Sequence, residues 1–96
     1  MRNRYIVTYD VCEAKRLRSV FRTMRGYGDP LQYSVFVCEL SPKERELMVA
    51  DLEEVIDHDQ DGIMIIDMGS IESERSGQVT FIGQKKSLPE REAVII

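Results

Sequence analysis

The sequence lacks an apolar run long enough to cross a membrane, for which about 18 residues are needed. Its first residues lead into only a few apolar ones before Asp10, so they do not resemble a secretory signal peptide. Repeats, linkers and low-complexity segments are also missing. We therefore expect a cytoplasmic protein with no membrane contact, built as one domain with a modest core.

Cysteine is scarce. The two cysteines, Cys12 and Cys38, have a separation that fits no zinc or redox motif, and a reducing compartment argues against a disulfide. We predict that both are free thiols that serve as small apolar residues.

Histidine is scarcer still, since His58 is the only one. It lies in an acidic stretch with Asp57, Asp59 and Asp61, whose spacing lacks the glycine and glutamate positions of a calcium-binding loop. The pattern predicts a solvated turn.

Positive charge is concentrated at one end of an acidic chain, whose formal net charge is −4. Residues 1–25 contain seven lysines and arginines but only two carboxylates, Asp10 and Glu13. The remaining residues contain six cations and fifteen anions. Because local patches and not net charge attract polyanions, this segment is a candidate phosphate-binding surface. The alternative is a solvated helix face.

The first half of the chain predicts a strand, a helix and a second strand. Tyr5–Tyr9 is β-branched and aromatic, as strands are. A helix follows, since Leu17, Val20, Phe21 and Met24 recur at helical spacing before the glycines at 26 and 28 end it. Residues 32–39 predict the next strand. The sequence at 28–31 gives weaker support for a short additional strand.

The second half predicts one more helix and two strands. Ser41, Pro42 and Glu44 form a helix start with a capping box. This helix should end near 57–59. A buried strand should follow at 63–66, and a last strand at 79–82. The expected buried stripe of the helix is Leu47, Met48, Leu52, Val55 and Ile56.

The order of these elements predicts an α+β fold, namely a ferredoxin-like βαββαβ domain with an extra C-terminal strand and helices on one face of an antiparallel sheet. We assign residues 1–83 to this domain. We assign 84–96 to a tail that docks on a partner subunit, because its four final apolar residues need a covering surface. Apolar residues on both faces of the strand at 32–39 favour a two-fold homodimer.

Asp10 is the candidate functional carboxylate, because it stands where the first strand ends. One interpretation is structural, in which Asp10 caps the turn or helix that follows. The other is a magnesium site. Mg²⁺ often takes only one or two protein carboxylates, so two copies of Asp10 meeting at a two-fold axis would suffice. Nearby arginines would then hold phosphates.

Several segments together resemble the CRISPR-associated Cas2 family over residues 4–83. They are Val7-Thr-Tyr-Asp10, Lys15-Arg-Leu-Arg18, Gly26-Tyr-Gly28, Gln32-Tyr-Ser-Val-Phe36, Leu40-Ser-Pro42 and Phe81-Ile-Gly83. The resemblance implies a dimeric ferredoxin-like protein that cuts RNA or DNA as a metal-dependent endonuclease. Asp10 would be both the catalytic residue and the ligand of Mg²⁺, with Mn²⁺ as an alternative metal.

The resemblance also implies a role in spacer acquisition, in which the dimer binds DNA and bridges subunits of the CRISPR integrase. Further residues are expected to bind nucleic acid or to support the site, some from the resemblance and some as nearby cations. They are Tyr9, Lys15, Arg16, Arg18, Arg22, Arg25, Ser34 and Phe36.

Three other functions stay open. A non-catalytic DNA scaffold for the integrase is favoured by the acidic second half and by Pro30, which stands where many relatives carry a cation. A toxin-type ribonuclease would share the fold. An unrelated regulatory domain that binds a small molecule would need a pocket, and it would not need the cluster of arginines at 16–18.

Overall fold

The computed structural model describes residues 1–72 and 82, which form four strands and two helices. In chain order these are β1 (Asn3–Asp10), α1 (Ala14–Arg25), β2 (Gly28–Gln32), β3 (Val35–Leu40), α2 (Pro42–Val55) and β4 (Gly62–Ser70). Both predicted helices are present, and the weakly supported strand at 28–31 is the full strand β2.

The strands form one antiparallel sheet in the order β2-β3-β1-β4. β3 lies between β1 and β2, so the β1-α1-β2 unit is split by a strand that runs antiparallel to both. This topology confirms the predicted ferredoxin-like fold class.

The core lies between one face of the sheet and the two helices. Alternate residues of β1 point into it, since Tyr5, Val7 and Tyr9 are buried while their neighbours are not. From the helices, the largest buried contributions come from Phe21, Met24, Met48 and Leu52. The stripe predicted for α1 is therefore confirmed. In α2 only two of the five predicted positions are fully buried, and Leu47 is 51% exposed.

Local capping fixes the start of each helix. Ser41 accepts a hydrogen bond from the Glu44 backbone N–H, and the Glu44 carboxylate accepts one from the Ser41 N–H, which confirms the predicted capping box. In α1 the cap is Glu13, whose carboxylate accepts from the backbone N–H of Arg16 at 2.8 Å.

The single strand predicted at 32–39 is wrong. Gln32 ends β2, a turn occupies Tyr33 and Ser34, and β3 begins at Val35. Ser34 has a φ of +56°, a left-handed conformation that non-glycine residues adopt rarely. Because a serine and not a glycine occupies this position, the sequence carries no residue that marks the turn. Ser34 therefore does not share the alternating pattern of Phe36 and Cys38.

The opposite face of the sheet is apolar and partly exposed. The paired residues Ile6, Val37 and Ile66 lie on it, as do Thr8 and Met64. Met64 and Ile66 are 57% and 39% exposed, so β4 is not the fully buried strand that the sequence predicts. Among the described residues, no helix covers this face.

The predicted strand at 79–82 lies outside the described residues except for Ile82, which is not in a strand and is 94% exposed. The boundary at 83 and the tail at 84–96 also lie outside them. Neither described helix has the length and apolar character that crossing a membrane requires.

Candidate nucleic-acid and metal site

Asp10 is the last residue of β1, a central strand of the sheet, and it pairs with Gly62 at the start of β4. It is exposed, and its carboxylate has no hydrogen bond or ion pair within the part of the chain that the structure describes. Because Glu13 caps α1, Asp10 does not perform the capping role that was its structural alternative. It is a carboxylate available to a ligand.

Within the described residues, one chain does not assemble a complete metal site. No group of three or more histidine, cysteine, aspartate or glutamate side chains suitable for a metal occurs among the described residues. Asp10 supplies the hard oxygen donor that Mg²⁺ prefers, and a second copy of Asp10 would supply another. The donor chemistry of Asp10 fits the predicted metal, and a second copy of the chain would raise the number of carboxylates to two.

Three of the predicted cations form an exposed stripe on α1. Lys15, Arg18 and Arg22 are exposed, and no ion pair involves them within residues 1–72 and 82. Their spacing of three and four residues places them on one side of the helix, opposite the buried stripe. We call these three residues the cationic stripe. Their charges are available to phosphate.

Other cations of the basic segment are engaged. The Arg25 guanidinium lies over the Phe21 ring at 5.8 Å, and its buried Nε has no hydrogen-bond partner among the described residues. Arg2 pairs with Glu44 at 2.7 Å, and Arg4 pairs with Glu39 at the end of β1 far from Asp10. The free positive surface is therefore smaller than the sequence count indicates.

Arg16 binds Asp61, the last residue of the loop between α2 and β4. The Arg16 Nε donates to Asp61 Oδ2 at 2.7 Å and its Nη2 donates to Oδ1 at 3.2 Å. The same carboxylate accepts the backbone N–H of Cys12 at 3.3 Å and of Asp57 at 2.9 Å. The Asp61 side chain has no exposed surface. The Arg16 hydrogen bonds, with the Asp57 N–H, hold the pKa of the Asp61 carboxyl well below its usual value.

This carboxylate corrects the predicted solvated turn at Asp57–Asp61. His58 and Asp59 are exposed as expected, but Asp61 is a buried ion-pair partner. Cys12 is likewise not an apolar core residue, because it is exposed and its thiol lies 3.6 Å from Asp61. Cys38 is free and buried, and burial raises its pKa to about 12.

Tyr9 and Phe36 lie beneath the site and not on its surface. Phe36 is fully buried, Tyr9 is 5% exposed, and their ring centroids are 6.2 Å apart. Phe21 meets Phe36 edge-on at 5.4 Å. Burial raises the pKa of Tyr9 to about 12. These aromatic residues support the end of β1 that carries Asp10.

The β2–β3 turn lies at the same end of the sheet as Asp10. The Ser34 carbonyl oxygen accepts the backbone N–H of Tyr9 at 3.1 Å, so the turn closes against the residue before Asp10. Tyr33, beside it, is 69% exposed. Ser34 thus contributes through its backbone to the neighbourhood of Asp10.

The structure brings Asp10, the start of the cationic stripe and the Ser34 turn to one end of the sheet. Sequence reasoning missed Glu13 and Asp61. Glu13 caps α1 although glutamate is not among the residues preferred at that position, so no sequence pattern indicates this role. Asp61 is 45 residues from Arg16 in the chain, and no local pattern predicts that pair.

A shallow cleft of about 540 Å³ lies elsewhere, between the C-terminal end of α1 and α2. Asp10 lies near the other end of α1, so the cleft is separate from the candidate site. The lining residues are Thr23, Gly26, Tyr27, Asp51, Glu54 and Val55.

The fold and the site define a small α+β protein with a ferredoxin-like antiparallel sheet. At one end of this sheet, an unpaired carboxylate lies beside exposed cations and forms a candidate phosphate-binding site. Comparison with known proteins is more specific. Residues 2–76 match the family described as CRISPR associated protein Cas2. The chain belongs to this family.

Individual relatives agree with this assignment. The chain is 40% identical to the CRISPR-associated endoribonuclease Cas2 1 of Rhodospirillum rubrum, over 96% of this chain and 89% of that protein. It is 38% identical to the CRISPR-associated endoribonuclease Cas2 of Geobacter sulfurreducens, over the full length of both. The crystal structure of Streptococcus pyogenes Cas2 superposes with a TM-score of 0.71 at 33% identity, covering 83% of this chain and 99% of that one.

Proposed function

We propose that the protein is a metal-dependent endonuclease that acts as a homodimer on RNA or DNA, with Asp10 of each copy as the metal ligand and catalytic residue. The observation that carries this proposal is the exposed, unpaired carboxylate of Asp10 close to the start of the cationic stripe. Family membership supports it, because two relatives at 38% and 40% identity are named endoribonucleases.

The chemistry is hydrolysis of a phosphodiester, in which water adds across a P–O bond to give a phosphate monoester and an alcohol. Mg²⁺, or Mn²⁺ in its place, would polarise the phosphate and lower the pKa of a bound water when held by two Asp10 carboxylates. The chain's own residues bind and orient the strand. Lys15, Arg18 and Arg22 hold backbone phosphates, and Tyr9 and Phe36 support the strand end that positions Asp10.

The homodimer is proposed from the open face of the sheet. Met64 and Ile66 leave apolar surface exposed there, and a two-fold contact through this face would cover it on both copies. Cytoplasmic location stays a prediction from the sequence.

Labelled single-stranded RNA and duplex DNA provide the test. Wild type and Asp10→Asn are compared with Mg²⁺, with Mn²⁺ and with chelator. The matched control is Glu46→Gln, which removes an exposed carboxylate from α2. Metal-dependent cutting that is lost only in Asp10→Asn supports the proposal. Absence of cutting by wild type on both substrates contradicts intrinsic nuclease activity.

A second candidate function is a non-catalytic DNA scaffold that bridges subunits of the CRISPR integrase. It is favoured by Pro30, which is half-buried in β2 and supplies no charge where many relatives are expected to carry a cation. If Asp10→Asn supports spacer acquisition as well as wild type does, the scaffold function is sufficient.

A toxin-type ribonuclease would instead arrest growth on expression, and Asp10→Asn would relieve the arrest.

A further inference from the structure

Asp61 connects three separate segments of the chain. Its carboxylate accepts hydrogen bonds from the Cys12 N–H in the β1–α1 loop, from the Arg16 side chain in the first turn of α1, and from the Asp57 N–H after α2. With no exposed surface, this carboxylate is satisfied entirely by protein donors. We call the contact between Arg16 and Asp61 the clip.

The Arg16 guanidinium is already bound by carboxylates of the protein. Nε and Nη2 bind Asp61, and Nη1 lies 3.7 Å from the Glu13 carboxylate. The side chain is 25% exposed. A phosphate that took Arg16 would leave the Asp61 carboxylate buried without its charge partner, which is strongly unfavourable. Arg18 and Arg22 have no ion pair with a carboxylate among the described residues.

The clip involves the two backbone segments next to Asp10, one along the chain and one across the sheet. Cys12, whose N–H is bound, stands two residues after Asp10, and Gly62, which pairs with Asp10 in the sheet, directly follows Asp61. The direction in which the Asp10 carboxylate points therefore depends on the two segments that the clip holds together. Partners that orient a metal ligand in this way affect metal affinity without touching the metal.

We propose that the clip orients Asp10, so that Arg16 is a positioning residue of the site and not a phosphate ligand. The metal part of this proposal rests on the proposed function of Asp10. The part concerning phosphate does not, because it can be measured without metal.

The experiment uses a charge-neutral variant, Arg16→Met/Asp61→Asn, which removes both charges and keeps one oxygen, enough to accept one of the two backbone N–H groups. Arg18→Met is the comparison variant, because it removes an exposed arginine from the same helix. Urea unfolding establishes that each variant is folded. Two measurements follow, namely Mn²⁺ affinity by electron paramagnetic resonance and the salt dependence of single-stranded RNA binding in chelator.

In the salt measurement, each phosphate contact to a single strand contributes about 0.7 to the slope of log K against log salt. Arg18→Met should lower the slope by about this amount, and the charge-neutral variant should leave it unchanged. A fall in the charge-neutral variant equal to that in Arg18→Met would overturn the proposal, because Arg16 would then bind phosphate.

In the metal measurement, the charge-neutral variant should bind Mn²⁺ about 10-fold more weakly or worse, while Asp10→Asn loses the site. Wild-type affinity in the charge-neutral variant would overturn the positioning role. If wild type itself binds no Mn²⁺, the proposed metal site of Asp10 fails, and the salt slope still decides whether Arg16 contacts phosphate.

If the charge-neutral variant does not fold, the role of Arg16 is tested on wild type instead. The measurement is the position of the arginine Nε–H signals in ¹⁵N NMR spectra. Titration with single-stranded RNA should shift the signals of Arg18 and Arg22 and leave that of Arg16 in place. A shift of the Arg16 signal as large as theirs would contradict the proposal.

Discussion

The backbone N–H of Tyr9 donates a hydrogen bond to the carbonyl oxygen of Ser34, with 3.1 Å between the two atoms. This bond joins the β2–β3 turn to the end of β1, one residue before Asp10. The turn depends on the left-handed conformation of Ser34, whose φ is +56°. Geometry at the candidate site is thus coupled to a backbone conformation that side chains with a branched Cβ disfavour.

Replacing Ser34 tests this coupling. Ser34→Gly should keep or raise the free energy of unfolding, by up to about 1 kcal/mol, because glycine adopts this conformation without a steric penalty. Ser34→Val should lower it by about 1–2 kcal/mol. Urea unfolding of the two variants measures the difference. Equal stability of both would show that the turn adjusts to other conformations.

Gly28 is required for the close approach of β2 to β3. A Cβ atom at this position would collide with the Val37 carbonyl oxygen and the Cys38 Sγ. Gly28→Ala should therefore lower the free energy of unfolding by about 1–3 kcal/mol. The control is Gly62→Ala, since nothing lies within 4 Å of a Cβ built there. A control loss as large as that of Gly28→Ala would contradict the steric explanation.

Asp61 should make the protein sensitive to acid. Its folded pKa lies below the ordinary value of 3.8, so its stabilising contribution is complete at neutral pH. That contribution is lost as pH falls through 3.8 towards the folded pKa. Asp61→Asn should therefore be less stable than wild type at pH 7, and the difference should shrink at about pH 3. Urea unfolding at both values tests this, and a gap that widens in acid would contradict it.

The sequence predicts the parts of this fold that local interactions determine. The stripe of α1 and the capping box at Ser41 depend on contacts between residues three or four positions apart in the chain, and both are confirmed. The clip depends on Arg16 and Asp61, which only the folded chain brings together. The Tyr33–Ser34 turn was missed because it uses a left-handed serine where turn patterns lead one to expect glycine.

The candidate site was predictable to the same extent. The position of Asp10 at a strand end follows from the apolar run before it, and its exposure agrees. Which cations remain free did not follow, because Arg2, Arg4 and Arg16 are neutralised by carboxylates far away in the sequence. Their roles depend on tertiary contacts that charge counting does not include.

The Tyr9 hydroxyl is buried and has no hydrogen-bond partner among the described residues. Tyr9→Phe should therefore leave the free energy of unfolding unchanged or raise it by up to about 1 kcal/mol, because an unsatisfied polar group is removed. Tyr27→Phe is the contrast, since the Tyr27 hydroxyl donates to Asp51 at 2.5 Å. It should cost about 0.5–1.5 kcal/mol. Thermal unfolding compares them, and a larger loss in Tyr9→Phe would indicate a partner for its hydroxyl.

The open face of the sheet gives the last prediction. Met64 is 57% exposed and lies beside Thr8 on the face that no described helix covers. If two copies pack through this face, Met64→Glu brings two carboxylates into the two-fold interface, where their repulsion and desolvation oppose association. Sedimentation should then show a homodimer for wild type and a monomer for Met64→Glu.

Leu47→Glu separates this effect from a general effect of added charge. Leu47 is 51% exposed on α2, which packs on the other face of the sheet, so this variant should stay dimeric. Because two Asp10 carboxylates are needed for the proposed metal site, Met64→Glu should also lose Mn²⁺ binding while Leu47→Glu keeps it. A Met64→Glu protein that remains dimeric would place the interface on another surface, and monomeric wild type would remove the basis for a shared metal.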